Sequence, residues 1–121
     1  MARGRSRTGA EGERVAAAHL RAQGIAVEGW NYRTRFGEID LIARDGDDVV
    51  FVEVKTRRNA KFGAPEESVT PRKRGRLVLA AQEYLKEHDL EERAWRIDVV
   101  AITLRPNGPA AITHVRSAVE E

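Results

Sequence analysis

The chain has 121 residues, 41% of them hydrophobic and 33% charged, which fits one globular domain over 1–121 and excludes both a disordered chain and two separate cores. No apolar run approaches the roughly 18 residues of a membrane span, and the stretch from Val15 to Leu20 carries His19 and is too short for a signal peptide, so a soluble cytoplasmic protein is expected. The absence of cysteine excludes disulfides, a thiol nucleophile and zinc fingers, and 21 Lys+Arg against 19 Asp+Glu leave a net charge of only +2, so charge placement matters more than its sum.

Arg3, Arg5, Arg7 and Arg14 make the start of the chain basic, with residues 1–8 expected as a flexible arm. A helix is predicted from about Glu11 to Gln23, with Thr8 and Glu11 at capping-box spacing and Gly24 as the stop. Glu13, Ala16, Ala17 and Leu20 fall on its inward face, and an inward glutamate needs a reason. A strand from Ile25 to Tyr32 leads into the connection Arg33 to Phe36. Gly37 to Arg44 and Val49 to Thr56 then flank Asp45-Gly46-Asp47-Asp48 and predict a hairpin. After a loop over residues 58–68, Thr70-Pro71 opens a second helix with Leu77, Ala81, Tyr84 and Leu85 on its apolar face. Trp95 to Leu104 is a long strand, Asn107-Gly108-Pro109 a turn, and Ala111 to Arg116 a last strand. The order is α-β-β-β-α-β-β, an α/β protein.

The hairpin carries the chemistry. Side chains alternate faces along a strand, so Glu38 and Asp40 share a face opposite Ile39 and Leu41, and Glu53 and Lys55 share one opposite Val52 and Val54. A loop centred between Gly46 and Asp47 makes paired residue numbers sum to 93. That sets Asp40 opposite Glu53 and Glu38 opposite Lys55, and any even loop keeps all four on one face. Like charges opposed at roughly 5 Å repel, so a positive group belongs between the carboxylates. In one reading Lys55 and Glu38 neutralise the pair as a solvated ion-pair network, Glu38 acting as salt-bridge partner rather than third acid. In the other, Asp40 and Glu53 share a hard divalent cation, Mg²⁺ or Mn²⁺, which takes oxygen ligands and keeps several waters. Lys55 then orients or deprotonates a bound water, the equipment of phosphodiester hydrolysis.

Residues 55–76 hold eight bases against Glu66 and Glu67. Arg57, Arg58, Lys61, Arg72, Lys73 and Arg76 surround the hairpin site in sequence, as a nucleic-acid groove requires. Trp30, Tyr32 and Phe36 interleave with Arg33 and Arg35 as a candidate stacking surface, with two of the three aromatics expected in the core. Arg96 and Asp98 share a strand face as a structural pair, and His19, His88 and His114, on separate elements, are each expected to be surface or satisfied structural residues.

The segment Gly37 to Lys55, an Asp, a strand-turn-strand and then Glu-x-Lys, resembles the restriction endonuclease-like nuclease superfamily. More closely, NYRTRFGEIDLIARD, VFVEVKTRR, VTPRKRGRL and RIDVVAI, within a resemblance running from about Gly12 to Ile102, are similar to the YraN-like family of small uncharacterised bacterial proteins assigned to that superfamily. The resemblance implies a restriction endonuclease-like core, with a mixed central β-sheet flanked by helices. It also implies roles: Asp40 and Glu53 as metal-binding carboxylates, Lys55 as catalytic lysine, and Glu13 as the first-helix glutamate of similar archaeal Holliday junction resolvases, catalytic and metal-binding. Ile39 stands where many superfamily nucleases have proline. The implied activity is Mg²⁺-dependent endonucleolytic hydrolysis of DNA, structured or branched, in repair or recombination. The expected partners are DNA, a repair or recombination protein, and a second copy of the chain, because symmetric cutting of two strands needs two sites. The alternative is a nucleic-acid-binding module on the same fold that does not cut.

Overall fold

The computed structural model describes residues 7–58 and 69–119. Its elements are α1 (Arg7–Ala22), β1 (Ala26–Thr34), β2 (Gly37–Asp45), β3 (Asp48–Arg57), α2 (Pro71–Glu87), β4 (Trp95–Thr103) and β5 (Ala111–Val119). The five strands form one sheet in the order β1-β2-β3-β4-β5, with β3 and β4 parallel and the other neighbours antiparallel. The expected α/β class, element order and mixed sheet are therefore present. A parallel pair needs a crossover connection, and α2 lies within it.

Each helix covers one face of the sheet. Ala16, Ala17 and Leu20 of α1 pack with Leu41, Ala43, Val50, Val52, Val100 and Ile102, whereas Leu77, Ala80, Ala81 and Leu85 of α2 pack with Ile42, Val49, Phe51, Ile97 and Val99. Strand β4 is buried from Ile97 to Ile102 because both faces are covered. The hairpin turn lies where predicted: Asp45 pairs with Asp48 and Leu41 with Val52, and Gly46 at φ +60° supplies the left-handed residue of the tight turn.

Several expectations are corrected. Helix α1 begins at Arg7, so Thr8 lies inside it rather than capping it, and the Thr8 hydroxyl instead accepts from Arg58 Nη2 at 2.9 Å. Arg7 and Thr8 are thus helical, not part of an arm, and the rest of that segment lies outside the described residues. Strand β1 runs on through Arg33 and Thr34, which pair with Glu38 and Gly37. The Thr34 hydroxyl closes the short turn by accepting from the Phe36 N–H at 3.0 Å and donating to the Gly37 carbonyl at 2.7 Å. Ile39 breaks the simple alternation, packing with the α2-side cluster while Leu41 packs on the α1 side. Strand β5 continues past Arg116 to Val119 through Ser117, whose φ of 51° accompanies a register shift against β4.

Helix α1 comes close to β3 at Gly12, where an added Cβ would lie 1.8 Å from Thr56 Oγ1 and 2.8 Å from Thr56 Cβ. Rotating Thr56 moves its hydroxyl but not its Cβ. Gly12→Ala is therefore expected to destabilise the fold by about 1–3 kcal/mol through overpacking, despite the better helix propensity of alanine. Urea denaturation checks this, with Thr56→Ala in the same chain recovering part of the loss.

Candidate functional site

The β2–β3 ladder is paired from Asp45↔Asp48 up to Leu41↔Val52. One residue further, a side chain takes over from the backbone: the Val54 N–H donates to Asp40 Oδ2 at 2.8 Å. Asp40 is thereby fixed between the two strands. Glu53, 7% exposed, projects from β3 on the α2 side, and Lys55 on the same strand face places Nζ 3.4 Å from Glu53 Oε2. From the first turn of α2, Lys73 Nζ approaches the same oxygen at 2.7 Å. Thr70 and Pro71 hold that turn in place: the Thr70 hydroxyl caps the helix by accepting from the Lys73 N–H at 3.3 Å, and proline stands at the first helical position.

Asp40, Glu53, Thr70 and Lys73 border a cavity of about 480 Å³ whose walls also include Phe36, Glu38, Arg72 and Arg76, with Lys55 beside it on Glu53. Its electrostatics are those of a carboxylate pair under a cationic lid. Burial disfavours both ammonium groups. For Lys73 the bonds to Glu53 and Lys55 outweigh burial and its pKa rises; for Lys55 burial and the neighbouring Lys73 outweigh Glu53 and its pKa falls.

The structure thus brings together Asp40, Glu53, Lys55, Arg72, Lys73 and Arg76. Glu13 is buried at 5% exposure, as its inward face predicts, but on the α1 side, where both its oxygens accept from the Asn31 side-chain amide at 3.2 Å. It is not among the cavity walls. Asn31, in a left-handed conformation at φ 50° where β1 skips a pairing, was not legible as a partner. Arg33 pairs with Glu38 at 3.6 Å. Arg35 pairs with Glu83 at 3.0 Å and lies over the Phe36 ring, bordering a neighbouring cavity. Arg58 is engaged by Thr8, the Arg57 carbonyl accepts from the Leu104 N–H at 2.8 Å, and Lys61 lies outside the described residues. Of the three aromatics, Tyr32 and Phe36 pack against the core, while Trp30 is exposed.

Asp40 and Glu53 both line the cavity, and carboxylates are the hard oxygen donors that Mg²⁺ and Mn²⁺ take. Among the described residues no group of three or more His, Asp or Glu is placed to hold a metal by itself. Asp40 and Glu53 could together offer such an ion two carboxylates, leaving the rest of its coordination to water.

A second polar cluster occupies the α1 side of the sheet. Asp98, with no exposure, accepts from Arg96 Nε at 3.0 Å, His114 Nε2 at 2.8 Å and the Ser117 N–H at 2.9 Å. Arg96 also reaches Asp45 at 3.0 Å, tying the hairpin end to β4. His114 Nδ1 in turn lies 3.1 Å from His19 Nε2. The Arg96–Asp98 pair was expected, but the meeting of the two histidines was not. They lie 95 residues apart, on α1 and β5, and only the folded arrangement joins them.

The family model described as Uncharacterised protein family UPF0102 matches residues 12–102. The UPF0102 protein of Syntrophus aciditrophicus is 50% identical over 102 residues, covering 84% of this chain and 80% of that protein. That of Beutenbergia cavernae is 48% identical over 114 residues, 94% and 97% of the two chains. That of Rhodococcus opacus is 46% identical over 110 residues, 91% and 93%. These names carry no activity. No helix among the described residues is long and apolar enough to cross a membrane.

Proposed function

The chain belongs to the uncharacterised protein family UPF0102, and on the strength of its own site we propose that it is a metal-dependent nuclease hydrolysing phosphodiester bonds of DNA, with structured or branched DNA as its substrate. One observation carries this reading: Asp40 and Glu53 border one cavity together with Lys73, Arg72 and Arg76, and Lys55 stands 3.4 Å from Glu53. An ion-pair network built only for stability has no need of a cavity lined by both carboxylates and three further cations. A restriction endonuclease-like core is part of the same proposal, supported by the mixed sheet and by a hairpin that opens at Asp40.

Mg²⁺ or Mn²⁺ held by Asp40 and Glu53 supplies positive charge to the phosphoryl oxygens and lowers the pKa of a bound water. The chain's own residues do the rest. Asp40, anchored through Oδ2 to the Val54 N–H, holds its carboxylate in a fixed orientation. Lys55 orients the attacking water or takes its proton. Lys73, Arg72 and Arg76 bind the phosphates on either side of the scissile bond, which makes affinity salt-dependent. Glu13, bound to Asn31 on the α1 side and not among the cavity walls, is given no place in the metal set.

The test is cleavage of a labelled panel (single strand, duplex, flap, fork and four-way junction) with Mg²⁺ or Mn²⁺, with binding recorded in parallel. Metal-dependent cutting by the wild type, lost in Asp40→Asn with binding retained, is the expected result; Glu13→Gln in the same assay reports whether the α1 carboxylate takes part. Binding without cutting of any substrate, unchanged in Asp40→Asn, would replace the nuclease by a non-catalytic nucleic-acid-binding module.

A further inference from the structure

The two polar clusters lie on opposite faces of the sheet, and the nuclease reading makes no use of the one beneath α1. Its outermost pair is unusual. His19 from α1 and His114 from β5 point ring nitrogens at each other, Nε2 to Nδ1, at 3.1 Å, with the rings inclined at 75°. A structural histidine ordinarily satisfies its nitrogens with carbonyls, carboxylates or water; here each ring offers a nitrogen to another imidazole. Asp98 Oδ2 lies 2.8 Å from His114 Nε2 and keeps the proton there, so the His114 Nδ1 lone pair faces His19.

We propose that His19 and His114, oriented by Asp98, form a binding site for one late first-row transition-metal dication such as Cu²⁺ or Zn²⁺. The geometry is close to what the ion requires. Two metal–nitrogen bonds of about 2.0–2.1 Å at a tetrahedral angle set their nitrogens about 3.3 Å apart, so a small separation of the rings admits the ion in place of the shared hydrogen. Imidazole is a preferred ligand for these metals. The carboxylate on the far nitrogen of His114 is the outer-shell partner that fixes the tautomer and raises ligand basicity. Asp98 is fully buried and held by Arg96 and the Ser117 N–H, so it keeps its orientation whether or not the ion is bound. His19 is only partly buried, which leaves a side from which the ion enters and water completes its coordination. Arg116 lies near enough to His19 to oppose a cation, and its guanidinium is also 3.7 Å from Asp45, which offsets part of that charge. Two protein ligands and that neighbouring charge point to a moderate affinity. Once bound, the ion clips the edge strand β5 to α1.

Cu²⁺ is the probe for the test, titrated into the whole chain and followed by electron paramagnetic resonance. An Asp40→Asn/Glu53→Gln variant, in which the carboxylate site is disabled, should bind one equivalent with coupling to two imidazole nitrogens, and the wild type should show the same signal beside any nitrogen-free equivalent at the carboxylates. His19→Ala, which removes one of two direct ligands, should lose that coupling and bind more weakly by more than the about 10–100-fold that loss of an outer-shell partner costs, and His88→Ala should match the wild type. Zn²⁺ should raise the Tm of the wild type but not of His19→Ala. His19 sits on a helix where alanine is well tolerated, and circular dichroism confirms that the variant is folded. Equal two-nitrogen binding by His19→Ala, loss in His88→Ala, or the absence of two-nitrogen coupling in the Asp40→Asn/Glu53→Gln variant would each overturn the site. Failure in the Asp40→Asn/Glu53→Gln variant alone would transfer the binding to the carboxylates and overturn it equally, whereas absence of DNA cleavage would leave this site untouched.

Discussion

Asp98→Ala is expected to destabilise the fold by about 2–6 kcal/mol, because the donors of His114 and Ser117 lose their acceptor at about 1–3 kcal/mol each. The carboxylate has no exposure and three partners, and each loses something different. Arg96 keeps Asp45 at 3.0 Å, so its guanidinium is not stranded. His114 loses the acceptor for its Nε2 proton, and the Ser117 N–H, held at a positive φ in the β5 bulge, loses the group that fixes it. Asp98→Asn retains an acceptor for Ser117 and should cost less. The midpoint of urea denaturation reports both, with an unchanged m-value showing that the same native state unfolds. The pH dependence has a definite sign. Burial pushes the Asp98 carboxyl up, but His114, the Ser117 N–H and Arg96 together outweigh it and hold the pKa below its ordinary value of 3.8. A carboxyl with a depressed pKa stabilises the fold above its unfolded value and loses that contribution as pH falls through the folded one. Below about pH 4 the stability gap between wild type and Asp98→Asn should therefore narrow. A gap constant down to the acid transition would show that Asp98 acts through shape rather than charge.

What could be read from the sequence follows the range of the interactions involved. The hairpin register was legible because a short turn of Gly and Asp fixes it locally, and the buried Glu13 because the helical period places it beside Ala16, Ala17 and Leu20. The opening of the hairpin was not, since it depends on the Asp40 carboxylate replacing a backbone acceptor for Val54, a choice invisible to alternation. The same holds for Ser117, where a bulge carries β5 past the end of its periodic pattern. The basic residues show the limit most clearly. Arg35, Arg58, Arg72 and Arg76 are equivalent in composition, yet Arg35 is drawn to Glu83 and Arg58 to Thr8, leaving Arg72 and Arg76 with Lys73 at the cavity. Clustering in sequence predicts a charged region, and only the partners select which charges face the site.

Lys55→Met and Lys73→Met should fail in different ways under the nuclease reading. Both ammonium groups meet Glu53 Oε2, at 3.4 and 2.7 Å, but Lys55 is fixed to β3 beside the carboxylates whereas Lys73 arrives from α2 with Arg72 and Arg76. A metal ion on Glu53 competes with Lys73 for that oxygen, and the displaced ammonium lies on the wall that receives phosphate. Lys73→Met should therefore lower the metal concentration needed for half-maximal cleavage, while weakening DNA binding and reducing its salt slope by about one. Lys55→Met should leave DNA affinity unchanged and lower cleavage about 10²–10⁴-fold, the usual contribution of a positioned acid–base group. Metal titrations of cleavage, and binding measured across a range of salt, separate the two. Equal loss of cleavage in both variants, with DNA affinity intact in both, would mean that the two lysines serve the reaction as a unit and that phosphate binding rests on Arg72 and Arg76 alone.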